Sequence, residues 1–200
     1  MKEYIWLFPL IFIFHDLEEI IGLRIWINNN SDRINHKYPR IQKMVKDFST
    51  EAFAVAVFEE LIVCIILCIA TSIFNNHVVW GMWLGAFIAC TVHFAIHITQ
   101  TILFRSYLPA VLTSIFSMPP SIWIIFRVLS HFSSLVADMY PYMILGFLLV
   151  IINLVFAHKL MSVFIRYSNL KMDHKEGNFG QDNHPEYTQT ILHWIKIMGK

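Results

Sequence analysis

The stretch Leu61–Phe104 reads LIVCIILCIATSIFNNHVVWGMWLGAFIACTVHFAIHITQTILF and contains no Asp, Glu, Lys or Arg. An α-helix rises 1.5 Å per residue, so about 20 apolar residues cross a hydrocarbon core of about 30 Å. This run is therefore long enough for most of two crossings. The Asn75-Asn76-His77 break near its middle reads as the turn between them, because Asn tolerates turn geometry and competes with helix propagation. Working outward with the same ruler, five spans emerge: about Tyr4 to Ile27, Glu51 to Phe74, Val78 to Phe104, Tyr107 to Leu129 and Met139 to Phe164. Pro109, Pro119 and Pro120 predict a kinked or split fourth helix, since each proline removes a backbone donor and crowds the preceding turn. Trp6, Trp26, Trp80 and Trp83 fall near predicted helix ends, as in an interfacial aromatic belt.

Composition agrees. Of 200 residues, 56% are hydrophobic and 14% charged, with a mean hydropathy of +0.56; soluble domains average roughly 45–50% and 25%. A water-soluble fold has too little interior for that much apolar surface. The expected class is an all-α, polytopic membrane bundle of about five transmembrane helices. Residues 1–166 would form the membrane domain and 167–200 a polar tail. Within that tail, Ile191, Leu192, Ile195 and Met198 at helical spacing predict an interfacial helix over Thr188–Met198. The expected partners are the lipid bilayer and a second copy of the chain, as a homodimer. A net charge of +1 and the lack of a basic run with interleaved aromatics exclude nucleic acid. Cys64, Cys68 and Cys90 lie inside apolar runs and read as small buried hydrophobes, not as a disulfide framework. Lys2 and the apolar run to Phe14 superficially fit a signal peptide, but no small-residue cleavage site follows, so the segment is read as a retained first helix.

Orientation follows from where the cations collect. Arg33, Lys37, Arg40, Lys43 and Lys46 fall in the first connection, Arg105 in the third, and Arg166, Lys171 and Lys175 beyond the fifth span. Those positions lie on one side of a five-helix path. The N-terminus is thus expected outside and the C-terminus in the cytoplasm, the whole in the cell membrane as a multi-pass protein.

Charged groups nevertheless occur inside the spans. Asp16, Glu18, Glu19, Glu59 and Glu60 each cost roughly 2.5–3.5 kcal/mol near a bilayer centre. They must be neutralised by protonation, by pairing or by a metal. His15, Glu18 and Glu19 stand at i, i+3 and i+4, which places them on one helix face; His93 and His97 repeat the four-residue spacing on the third helix. Two imidazoles at i, i+4 are one way a helix presents nitrogen to a metal. Counted inward from the cytoplasmic helix ends, His15 and Glu19 lie roughly 12 to 18 Å deep, and His93, His97 and Glu59 roughly 10 to 17 Å. Asn153 falls at a similar depth and is a candidate hydrogen-bond partner.

The ligand set expected is His15, Glu19, Glu59, His93 and His97, with Glu18 as ligand or general base. Such a mixture of neutral nitrogen and carboxylate oxygen suits a divalent metal such as zinc, iron or manganese. Asp16 and Glu60 are rotated about 100° from His15 and Glu59 and stand aside from this set. Two other readings stay open: a proton-coupled transporter using the same carboxylates, and a structural or accessory membrane protein bonded by a polar network.

His15-Asp16-Leu17-Glu18-Glu19 resembles the signature of the HXXEE family of bacterial integral membrane proteins, whose function is uncharacterised. A later family histidine is matched by His93 or His97. The family's Tyr-x-Pro-Gly motif is matched by Tyr107-Leu108-Pro109-Ala110, where Ala110 departs from Gly. The resemblance implies a functional role for the polar residues over roughly the first 115 positions and supplies no reaction. A looser similarity is to intramembrane CAAX-type proteases, whose Glu-Glu-x-x-x-Arg motif is one residue shorter than Glu18-Glu19 to Arg24 here.

Overall fold

The computed structural model describes residues 1–37, 42, 45 and 48–179, with side chains through residue 168. Among the described residues there are helices and no strand. A single turn α1 (Lys2–Ile5) leads through Trp6 into α2 (Leu7–Asn29), and α3 (Ser31–Lys37) follows at once. Four long helices complete the described chain: α4 (Thr50–Phe74), α5 (His77–Phe104), α6 (Val111–His131) and α7 (Val136–Phe179). These four are long and apolar enough to cross a membrane, α7 over Val136–Ser168. The 23-residue α2 has the length, but Asp16, Glu18, Glu19 and Arg24 set its composition apart from the other four. The expectation of about five spans thus becomes four apolar helices and one long helix carrying Asp16, Glu18, Glu19 and Arg24.

Local chemistry sets the boundaries. Ser49 caps α4 by accepting from Ala52 N at 3.2 Å. The α4–α5 turn is built by the Asn pair: Asn75 closes α4 in the left-handed region at φ 45°, and Asn76 Oδ1 opens α5 by accepting from Val78 N and Val79 N. Asparagine suits both tasks, because it tolerates positive φ and its short side chain reaches orphan donors at a helix start. The α6 helix continues through Pro119 and Pro120 and is not split there; Pro109 falls ahead of its first turn. The α7 helix does not stop at Phe164, the expected end of the fifth span: it runs on to Phe179. The interfacial helix expected at 188–198 lies outside the described residues, as do Arg40, Lys43 and Lys46.

The apolar core gathers on α5. Trp80, Trp83, Phe87 and Phe94 are fully buried there and pack with Ile5, Phe8, Cys68, Ile124 and Val128. Trp80 and Trp83, at 1% and 0% exposure, are therefore core residues and not the interfacial belt predicted for them. Trp83 stacks on Phe87 at 5.1 Å and meets the edge of Phe8 at 5.9 Å. All three cysteines are buried and free.

Two close helix contacts depend on glycine. A Cβ on Gly85 would collide with the Met143 carbonyl of α7, and one on Gly146 would collide with the Met82 carbonyl of α5. Gly81, one turn before Gly85, would place a Cβ 2.8 Å from Tyr142 Cβ. Gly81-x-x-x-Gly85 is thus a small-residue seam of the kind that lets helix backbones touch in lipid.

At one end of the bundle, the Arg33 guanidinium of α3 donates to the Phe104 carbonyl and to Ser106 Oγ. The first and third connections therefore meet at the same end. Arg24 donates to the Phe48 carbonyl ahead of α4.

Candidate metal centre

Four side chains from α2 and α5 converge. His15, Glu19, His93 and His97 each offer one ligand atom, and those atoms all lie within 4.8 Å of one another. Helical periodicity explains the pairing: His15 and Glu19 sit one turn apart on α2, and His93 and His97 one turn apart on α5, so two stripes face each other. His93 Nε2 and His97 Nε2 stand 2.9 Å apart, and His97 Nε2 is 3.7 Å from Glu19 Oε2. The three imidazoles contact edge to face, with His15 ring centres 5.3 Å from His93 and 4.9 Å from His97. Phe94, buried between the two histidines in sequence, seats the His15 ring at 4.7 Å.

These separations can be weighed against a metal's demands. Tetrahedral coordination with bonds of about 2.0–2.1 Å has ligand–ligand edges of about 3.3–3.4 Å. The 2.9 and 3.7 Å distances straddle that value, while the group as a whole spans up to 4.8 Å, so its side chains would have to draw together around a bound ion.

Hydrogen bonding decides the His15 tautomer. The Thr113 hydroxyl donates to Glu18 Oε2 at 2.6 Å, its shortest and charge-assisted option, and the Ser114 hydroxyl donates to the Ala110 carbonyl at 2.6 Å. Both oxygens then have only lone pairs left for His15 Nδ1, which lies 3.3 Å from each. His15 Nδ1 must carry the proton, leaving a lone pair on Nε2. His15 Nε2 is buried and makes no hydrogen bond among the described residues. A second hydrogen bond that orients an imidazole and fixes its tautomer is the usual support of a metal-ligating histidine. His97 Nδ1 has no such partner among the described residues.

Glu18 is placed elsewhere. Its carboxylate accepts from Tyr107 Oη at 2.6 Å, Thr113 N at 2.8 Å and Thr113 Oγ1. It ties α2 to the first turn of α6, outside the converging group. Burial and the Glu18 carboxylate beside it push the phenol of Tyr107, in the connection ahead of α6, up to about 12, so it remains a donor. Ala110 in that connection adopts φ 74°, the left-handed region that favours glycine.

Glu59 is likewise not brought into the group; it accepts from Asn153 Nδ2 of α7 at 3.2 Å. Counting depth along a helix gives height but not azimuth, and α4 turns Glu59 toward α7. Its neighbour Glu60 instead lines, with Asp16 and Glu19, a small cavity of about 50 Å³ beside the centre. Asp16 is 5% exposed, and its Oδ2 has no hydrogen-bond partner among the described residues. Thr113 and Ser114 were not singled out by sequence; the available signal was a pair of hydroxyl residues in the first turn of an apolar helix, two residues beyond the Tyr-x-Pro-Ala stretch.

Residues 6–124 match the family model described as a protein of unknown function with HXXEE motif. No curated protein and no solved structure matches the chain. The matched region spans more than half of the chain and contains His15, Glu19, His93, His97 and the Thr113–Ser114 support. The chain belongs to the HXXEE family.

Proposed function

We propose that this protein is a membrane metalloprotein in which His15, Glu19, His93 and His97 hold one divalent zinc, iron or manganese ion, and that it acts as a metal-dependent enzyme on a lipid or peptide. The convergence of three imidazoles and one carboxylate within 4.8 Å carries this reading. Neutral imidazoles and one carboxylate suit these borderline metals. Four protein ligands fill a tetrahedral zinc site, whereas octahedral iron or manganese keeps two open positions. When bound, the metal supplies Lewis acidity, an activated water or, as iron, a site for oxygen.

The chain's own residues do the remaining work. Thr113 and Ser114 hold the proton of His15 at Nδ1 and aim the Nε2 lone pair at the centre. Glu19 contributes negative charge, which offsets a buried cation. Glu18, occupied by Tyr107 and Thr113, is assigned a positioning role in place of a general base. From the distribution of cations we take the N-terminus to lie outside and the C-terminus in the cytoplasm, with the centre near the middle of the membrane.

Elemental mass spectrometry on detergent-purified protein tests the assignment. Wild type should carry about one metal per chain, and His15→Ala and His97→Ala should carry none while still inserting. Stoichiometric metal in both variants would sink the ligand assignment. Metal-free wild type, even after reconstitution with each ion, would turn the reading toward a proton-coupled carrier.

A further inference from the structure

A cavity of about 130 Å³ adjoins the centre, with His15 and His93 in its wall. Most of the remaining wall is apolar, from Phe8, Phe12, Val63, Ala89, Val150 and Ile151. Among the described residues no Lys or Arg lines it, and its other polar members are Asp16, Glu60 and Asn153. A phosphate or free carboxylate therefore meets no cation there and two acidic side chains. A substrate helix, at 10–12 Å across, is far too wide. An apolar cavity of about 150 Å³ accommodates a benzene-sized hydrocarbon, so this one has room for roughly six carbons.

The cavity also opens sideways. Val92 and Ile96 of α5 and Ile151 of α7 belong to its wall, yet they are 43%, 46% and 45% exposed. On helices that cross a membrane, that exposure faces lipid tails. An occupant therefore reaches the histidines from the bilayer without passing through water.

We propose that this cavity takes the acyl chain of a membrane phospholipid and presents a segment of it to His15 and His93. The assignment narrows the substrate class of the metal centre, and it rests on that reading only for the chemistry that follows binding.

Photolabelling provides the test. The full chain is placed in nanodiscs containing phosphatidylcholine with a diazirine in one acyl chain, or in a parallel arm diazirine-bearing palmitic acid; after irradiation, adducts are mapped by mass spectrometry and metal is measured on the same sample. The phospholipid should label cavity residues such as Phe12 and Val63. Val150→Trp and Ala89→Phe, which fill the cavity, should lower that labelling at least tenfold without loss of metal. Wild-type adducts confined to outward residues such as Leu10 and Ile21 would overturn the proposal, even if neither variant folds. So would labelling by the free acid alone, or full labelling in folded variants. Labelled cavity residues in metal-free protein would leave the acyl site standing and remove the metal reading; bound metal with an unlabelled cavity would do the reverse.

Discussion

Two carboxylates one residue apart on α2 occupy opposite kinds of surroundings. Glu18 is saturated: a phenol, a backbone amide and a hydroxyl all donate to it. Glu19 faces three imidazoles, with its Oε2 3.7 Å from His97 Nε2. A group with its lone pairs already engaged builds structure, whereas a group aimed at other ligands with little to bond is prepared for something not made of protein. The 100° step between adjacent helix residues separates the two roles, so Glu18 serves the α2–α6 junction and Glu19 the centre.

The sharpest way to break this contrast is to delete each carboxylate in turn. Glu19→Ala should weaken metal binding by more than a hundredfold, read by chelator competition, with little change in stability. Glu18→Ala should keep about one metal per chain and lose about 2 kcal/mol of stability, since it strands the Thr113 amide and hydroxyl. Equal metal loss in the two variants would erase the distinction. Thr113→Val probes the link between the two regions. It removes one of the two acceptors that hold the His15 proton at Nδ1, and metal affinity should fall about 10- to 100-fold, the usual range for a residue supporting a ligand.

Gly85→Ala marks the other boundary of the site. Its Cβ would strike the backbone of α7, so the helices must part at a cost of about 1–3 kcal/mol, measured by thermal unfolding in detergent. Metal content should be unchanged, because the ligands come from α2 and α5. Coupled metal loss would show that α7 holds the centre's geometry. The smallest effect expected is a gain: Ala110→Gly relieves a left-handed alanine costing about 1–2 kcal/mol, less the greater unfolded-state freedom of glycine. A net stabilisation of about 0.5–1 kcal/mol should follow, with metal binding as in wild type. Destabilisation would mean that the Ala110 methyl packs more tightly than its backbone is strained.

Some of this was legible in the chain alone. The uncharged run Leu61–Phe104 and its Asn75-Asn76 break already place two helices and their turn, because membrane-scale hydrophobicity and asparagine's tolerance of positive φ are local properties. The one-turn spacings His15/Glu19 and His93/His97 are equally local, and each delivers its pair to one helix face. Local rules misread Trp80 and Trp83, since proximity to a helix end says nothing about which neighbour covers it.

What only the tertiary structure decided is azimuth: which way each helix turns once it is packed. Rotation of α4 sends Glu59 to Asn153 and leaves Glu60 beside Asp16, although depth along the helix had placed Glu59 level with the ligands. Contact between α2 and α6 gives Glu18 to Tyr107 and Thr113, and through Thr113 and Ser114 it selects the His15 tautomer. Those outcomes depend on groups about 90 or more residues apart in the chain. Helical periodicity fixes the relative angle of residues within one helix and leaves the angle between helices to packing.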